Sequence, residues 1–478
     1  MIKNLIKWQT LSSVVTFSLS LIQVAILSRL LELSDFGLVA IVMLVVNITQ
    51  VLSDLGMANY LVYRQKISEI LNSTVFWICS LSGLVLAISL ILISPQVASA
   101  YEEPEIKRLL SIAALSFIPI SLSSQLQARY VCNFKLDLVA KFEVLSKLAG
   151  TIIAVITALK GYGAVSIIIG SLVSSMAKCA LLWLKAERSW LPCFKFSLIE
   201  AKNAWNYGVY QIGSQLISQF RGNLDTLILG FYINSDQLGA YSLAKQLIQK
   251  PAAFILPIVH KISLPLLAAS QSKKEELKTL FGRAHAYVAF FLVLPYSLLF
   301  IMSESIVLIM YGMNNMQVAT YVAPLSIFWA CRSIGGALAG SLTQGLGKTK
   351  VDFYWNLFVL IAFTAVCLFT ASYGALYVSW GLAILQLALL NLVYFVFYKR
   401  IISFEFSGFI RPILSSTGLS VASIGIGYYC LKYLLPSSMG ITFTFISILA
   451  SIIIYYIGGC YLQSEIIKFP RRIFKQSK

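Results

Sequence analysis

The sequence predicts an all-α, polytopic membrane protein with about fourteen transmembrane helices. Three observations carry this. The 478 residues are 58% hydrophobic and only 12% charged, against roughly 45–50% and about 25% in soluble domains. Apolar runs long enough for a helix to cross the hydrocarbon, about 20 residues, recur along the whole chain. The ~10-residue alternating segments of a membrane β-barrel do not occur, and the loops between runs are too short to fold as a soluble domain.

Taken in order, the spans are 8–31, 37–60, 71–94, 108–128, 139–159, 163–184, 205–232, 239–262, 284–311, 318–345, 352–372, 375–398, 409–433 and 440–462. The first is read as a span and not as a cleaved leader. Its apolar run exceeds the ~7–15 residues of a signal core, and no A-x-A site follows. Orientation comes from the 37 Lys and Arg residues. With the N-terminus in the cytoplasm, twenty-six of them fall on the cytoplasmic side and five (Arg29, Lys107, Arg108, Lys160 and Lys432) outside. That bias is the positive-inside pattern and puts both termini in the cytoplasm. The net charge of +18 therefore serves membrane orientation, and no nucleic acid is expected as a partner. The expected location is a membrane, crossed many times.

The two halves carry related stretches, AILSRLLELSDFGLVAI at 25–41 and LILGFYINSDQLGAYSLA at 227–244. Aligning Gly37 with Gly239 puts both at the outer turn between the first two helices of a six-helix unit. Six is even, so the copies share one orientation, which implies a parallel repeat about an axis along the membrane normal. The expected organisation is a lobe at 1–190, a basic linker at 191–204, a second lobe at 205–400, an added helix pair at 409–462 and a basic tail at 463–478.

Charge inside a span is costly and faces a cavity or a partner. Six cations (Lys147, Lys178, Arg221, Lys245, Lys250 and Arg332) stand against Asp54 and Asp225. Lys178 and Lys147 sit toward the cytoplasmic end, where a long side chain snorkels to the interface. Arg221, Lys250 and Arg332 sit near mid-span. On the seventh span Gln211, Ser214, Gln215, Ser218, Gln219, Arg221, Gly222 and Asp225 share one face at 100° per residue, while Val209, Ile212, Leu216, Phe220 and Leu224 cover the other. Two or three such groups would serve helix packing; eight point to a wet cavity. On the eighth span Lys245, Gln246, Gln249 and Lys250 precede Pro251, Pro257 and Pro265, which are expected to kink it. Asp225 reads equally as a structural partner of Lys245 or Arg221 and as a cation-coupling group. Asp54 reads as a local cap or ion-pair member before a coupling site.

A cationic cavity suits an anionic substrate, with Arg offering a planar fork to phosphate and Lys a point charge. It argues against organic drug cations, which prefer acidic and aromatic walls. GLGK at 345–348 lacks the spacing of an ATP-binding loop, so a gradient must drive movement; two charges across 100 mV correspond to ~4.6 kcal/mol. The eight scattered cysteines show no CxxC spacing, and His260 and His285 make a poor catalytic pair. Neither a metal, a cofactor nor an enzymatic activity is expected.

SDLGMANYLVYR (53–64), GYGAVSIIIGSL (161–172) and RGNLDTLILGFYINSDQLGAYSLA (221–244) resemble bacterial polysaccharide flippases of the Wzx type, within the multidrug/oligosaccharidyl-lipid/polysaccharide exporter superfamily. The resemblance covers at least residues 1–400. It implies two six-helix lobes that move an undecaprenyl-diphosphate-linked oligosaccharide from the cytoplasmic to the outer leaflet by alternating access. Polysaccharide polymerase and chain-length machinery would then be partners beside membrane lipid. It implies a sensitive stretch around Asp225 and cavity-facing cations such as Arg221. Arg221, Lys250, Arg332 and Lys245 are the expected diphosphate contacts, and Gln211, Gln215 and Gln219 the sugar contacts. Asp225 and Asp54 are the candidates for cation coupling. A lipid II flippase and a multidrug–cation antiporter of the same superfamily are the alternatives. Fourteen spans, where many members have twelve, leave the last pair without an assigned role; the related lipid II flippases suggest a lipid-tail groove.

Overall fold

A computed structural model describes residues 2–53, 60–61, 67–133, 135–269, 274–346, 348–434 and 440–462. Asp54 lies outside them, as does most of the 53–64 stretch. The described chain is helical throughout. The helices are α1 (Ile2–Leu30), α2 (Leu33–Gln50), α3 (Glu69–Ala100), α4 (Glu105–Ala114), α5 (Phe117–Cys132), α6 (Leu136–Leu159), α7 (Val165–Leu184), α8 (Leu198–Leu229), α9 (Ser235–Ala269), α10 (Lys274–Ile301), α11 (Ser303–Tyr311), α12 (Gln317–Gly336), α13 (Ala339–Gly345), α14 (Thr349–Ala371), α15 (Ala375–Val393), α16 (Phe406–Leu434) and α17 (Gly440–Leu462). Twelve helical segments among the described residues are long and apolar enough to cross a membrane. α8 and α9 are as long, and they carry the Gln, Ser, Arg and Lys residues singled out above.

Several element ends differ from the sequence reading, each for a local reason. α2 stops at Gln50 instead of running to 60, and turn bonds from Leu52 to Thr49 and from Ser53 to Gln50 close it. The 108–128 span is two helices in near-continuity, α4 and α5, broken at Leu115–Ser116, where the Ser116 hydroxyl donates to the Ala113 carbonyl. α8 begins at Leu198 and not at 205, because Ser197 caps it, its hydroxyl accepting from the Glu200 N–H. α9 is helical from Ser235 to Ala269, through Pro251, Pro257 and Pro265. A π-helical turn, Tyr394–Lys399, extends α15; within it the buried Tyr398 hydroxyl donates to the Gly335 carbonyl of α12 at 2.5 Å.

The chain divides into two compact units, 1–242 and 243–478. In the first, α6 packs on α7 and α1, and α3 on α5, with α2 against α4 and α8. Close approach here depends on small residues. A Cβ on Gly150 would stand 2.4 Å from the Gly170 carbonyl oxygen of α7, and one on Gly83 2.0 Å from Ser121 Oγ of α5. In the second unit, α12 packs on α15 and α10, α16 on α10 and α17, and α14 on α15. His285, fully buried on α10, meets the Phe409 carbonyl of α16 through Nε2 at 3.0 Å and stacks on the Phe409 ring. The Tyr455 hydroxyl of α17 donates to the Phe290 carbonyl at 2.8 Å. These contacts fix the C-terminal helix pair to α10.

The two aligned glycines meet. A Cβ on Gly37 would stand 2.0 Å from the Ser235 carbonyl oxygen, and one on Gly239 would stand 1.7 Å from the Leu33 carbonyl oxygen. Ser235 precedes Gly239 by one helical turn, as Leu33 precedes Gly37. The first turns of α2 and α9 therefore cross backbone to backbone, each offering the other the same pair of groups. A reciprocal contact of this kind is what a two-fold repeat produces at its axis.

Candidate functional site

The site follows from the helices that carry the polar and charged residues singled out above. α8 carries Gln215, Gln219, Arg221 and Asp225 in the first unit. α9 and α12 carry Lys245, Lys250 and Arg332 in the second. Gln211 lies on α8, but its side chain is outside the described ones.

On α8 the polar residues differ in exposure. Gln215 is exposed, Gln219 and Arg221 are half-buried, and Asp225 is 4% exposed. Asn223 braces Gln219: its side-chain amide donates to the Gln219 carbonyl at 3.0 Å and reaches Gln219 Oε1 at 3.5 Å. The buried Asp225 accepts a hydrogen bond from the Tyr241 hydroxyl, Oδ2 to Oη 2.7 Å. A buried carboxylate costs several kcal/mol unless hydrogen-bonded, and Tyr241, itself fully buried, supplies such a bond. Tyr241 is the residue sequence reasoning missed. The signal was available: in the α8–α9 hairpin, residues 225 and 241 stand equally far from Ile233.

In the second unit Lys245 is 9% exposed and Lys250 half-buried. The half-buried Arg332 lies over two rings of its own helix, with its guanidinium carbon 4.9 Å from the Trp329 centroid and 5.9 Å from that of Phe328. Cation–π contact on one face of a planar guanidinium leaves its edge as the hydrogen-bonding side. Of the expected cations, Lys245 is therefore buried and Arg221, Lys250 and Arg332 are half-buried.

Two further polar clusters in the first unit were not foreseen as clusters. Lys147 on α6 donates to Gln23 Oε1 of α1 at 2.6 Å, and the Thr151 hydroxyl donates to the same oxygen at 3.2 Å. Lys178 pairs with Glu143 at 3.4 Å. The second cluster is a stitched linker. Its residues after α7 run along the first turns of α3. Asn72 donates to the Trp190 carbonyl at 3.0 Å, Ser73 Oγ accepts from the Cys193 N–H at 2.9 Å, and Thr74 Oγ1 accepts from the Ser197 N–H at 3.0 Å. Trp77 Nε1 donates to the Cys193 carbonyl at 3.1 Å. The Gln125 amide donates to Asn72 Oδ1 and to the Trp190 carbonyl, and Arg129 Nε donates to Asn72 Oδ1 at 3.0 Å. Outside the spans, the Lys195–Glu69 pair at 3.1 Å holds the Lys195 ammonium above its ordinary pKa through their hydrogen bond. Among the described residues, no group of three or more His, Cys, Asp or Glu side chains is placed to hold a metal ion.

Helices of this number and order, with cations and amides concentrated on one polar helix pair, describe a multi-pass membrane protein of the transporter kind. Residues 26–319 match the family model described as polysaccharide biosynthesis protein, and the chain belongs to that family. It is similar to the amylovoran biosynthesis protein AmsL of Erwinia amylovora, with 29% identity over 385 residues that cover 80% of this chain and 98% of that one. It is also similar to the lipopolysaccharide biosynthesis protein WzxC of Escherichia coli (strain K12), with 24% identity covering 88% and 86%. Its fold matches that of the lipid II flippase MurJ in an inward closed conformation at a TM-score of 0.74. That match has 15% identity over 96% of this chain and 99% of the other.

Proposed function

We propose that this protein is a flippase that moves an undecaprenyl-diphosphate-linked oligosaccharide repeat unit from the cytoplasmic to the outer leaflet of a bacterial inner membrane. Alternating access of two lobes, 1–190 and 205–400, driven by a gradient, carries the movement. One observation supports it above the rest. The long helices α8 and α9 hold Arg221, Lys245 and Lys250 partly or wholly buried. Membership in a polysaccharide biosynthesis family and the fold of a lipid-linked sugar flippase point the same way. In this reading Arg221, Lys250, Arg332 and Lys245 neutralise the diphosphate, Arg by paired hydrogen bonds and Lys as point charges. Gln211, Gln215 and Gln219 bond sugar hydroxyls. Asp225, held by Tyr241, is the coupling candidate, with Asp54 a lesser one. Both termini lie in the cytoplasm, and the polymerase and chain-length machinery receive the flipped unit.

The test is a paired neutralisation, Arg221→Gln with Lys250→Gln. Surface polysaccharide should fall at least ~100-fold, as expected when two charged contacts of about 1.5–3 kcal/mol each are lost, while the protein stays in the membrane at its normal level. Undiminished polymer from that variant would refute the assignment. The fold match keeps a lipid II flippase as a second reading. Chromosomal deletion separates the two, because loss of the lipid II function stops growth whereas loss of an accessory polymer does not.

A further inference from the structure

A cavity of about 370 Å³ opens in the first unit, where the turn after α3 meets the turn between α8 and α9. Its lining includes Tyr101, Glu102, Glu103, Phe231, Tyr232 and Asn234. The cavity is held by fixed backbone. Glu102 adopts φ +57, the left-handed conformation that ends a helix, and the Glu103 N–H returns to the Ala98 carbonyl at 3.0 Å. Two adjacent carboxylates thereby stand on a closed turn. The Ser235 hydroxyl at the start of α9 donates to Glu103 and ties that turn to the other. The Tyr101 ring stacks on Phe231, with centroids 4.4 Å apart and planes at 15°. Gly230 permits the stack, since a Cβ there would stand 2.6 Å from the Tyr101 ring. Burial lifts the Tyr101 phenol to a pKa of about 12, so it stays neutral at physiological pH. Phe231 and Tyr232 are both more than half exposed. Asn234 Oδ1 accepts from the Gln237 N–H at 2.9 Å, which leaves its NH2 group as a donor.

The chemistry narrows the occupant. Ligand sites of roughly 300–1,000 Å³ combine flat apolar walls with a few fixed polar groups. Exposed aromatic faces beside carboxylates and an amide match a pyranose: its C–H face lies on the rings and its hydroxyls donate to carboxylate oxygens. An acyl chain would leave those carboxylates unpaired, and an anion would meet two like charges. We propose that this cavity is a saccharide subsite, which takes a neutral hydroxyl-bearing pyranose of the transported unit and rejects an acidic one. The inference rests on the flippase reading for its ligand; in the orientation proposed above it faces the outside, where the sugar arrives.

The test uses the purified full chain in detergent and the methyl glycosides of a neutral hexose, an N-acetylhexosamine and a hexuronic acid. Saturation-transfer NMR should show saturable transfer to the two neutral sugars, each competing with the other, and at least tenfold weaker binding of the uronate. Tyr232→Ala and Glu102→Asn should each weaken neutral-sugar binding roughly tenfold or more; Asn tolerates the left-handed backbone while withdrawing the carboxylate. In the unaltered protein, oxidative footprinting should show Phe231 and Tyr232 protected by neutral sugar, a readout that needs no variant to fold. Absence of protection, uronate bound as well as neutral sugar, or full affinity in both variants would overturn the proposal. None of these measurements requires transport, so a failure here is distinct from a failure of the Arg221 and Lys250 test.

Discussion

The α1–α2 and α8–α9 hairpins carry the same motif and cross each other at Gly37 and Gly239, yet they have diverged in opposite directions. α1 and α2 both count as apolar spans, and past Asp35 the second of them holds no charge at all. α8 bears Arg221 and Asp225, and α9 bears Lys245 and Lys250. The turns have stayed alike while the shafts have not. What is shared, a glycine one turn into the helix with a carbonyl behind it, is what the crossing geometry demands. What differs is the polar load, which membrane burial penalises unless it is used.

The comparison breaks most severely at the crossing. Gly239→Val puts a branched side chain where 1.7 Å separates a Cβ from the Leu33 oxygen. It should cost about 3 kcal/mol or more and abolish export, with thermal unfolding of purified protein as the check. Gly37→Val should do the same; a large difference between the two would show that the crossing is not reciprocal. Next in size is Tyr241→Phe. It removes a hydrogen bond to the buried Asp225, worth about 1.5–3 kcal/mol for a charged acceptor, and should lower export roughly tenfold in a complementation assay. Asn72→Ala tests the stitched linker. It should lower stability by about 1–2 kcal/mol and expose the 185–197 segment to protease faster than wild type, with little effect on export. The smallest effect belongs to Lys195→Ala. Its exposed partner Glu69 raises the Lys195 pKa, so whatever the pair contributes is present at neutral pH and is lost as the pH rises through that raised value. No change in unfolding temperature at pH 7 is expected, and a clear drop would show that the pair does more than an exposed contact can.

The fold was legible because the bilayer imposes a length and an apolarity on every crossing helix. The spans stand out, and α8 was readable as polar on one face. The ends of helices were less legible: α2 closes at Gln50 through turn bonds that no periodicity announces, and α8 starts early because of one serine. The stitched linker was not legible at all. Asn72, Ser73 and Thr74 look like the polar beginning of a span, and only their long-range partners at residues 190–197 give them a role. Tyr241 escaped for a similar reason, since a tyrosine in an apolar run reads as packing until the hairpin register sets its hydroxyl on Asp225.

The reciprocity of the Gly37–Gly239 contact also limits how either position can vary. Each glycine leans on main-chain atoms of the other's helix, so no smaller side chain chosen at one of them can make room for a Cβ at the other, and the two positions are constrained together.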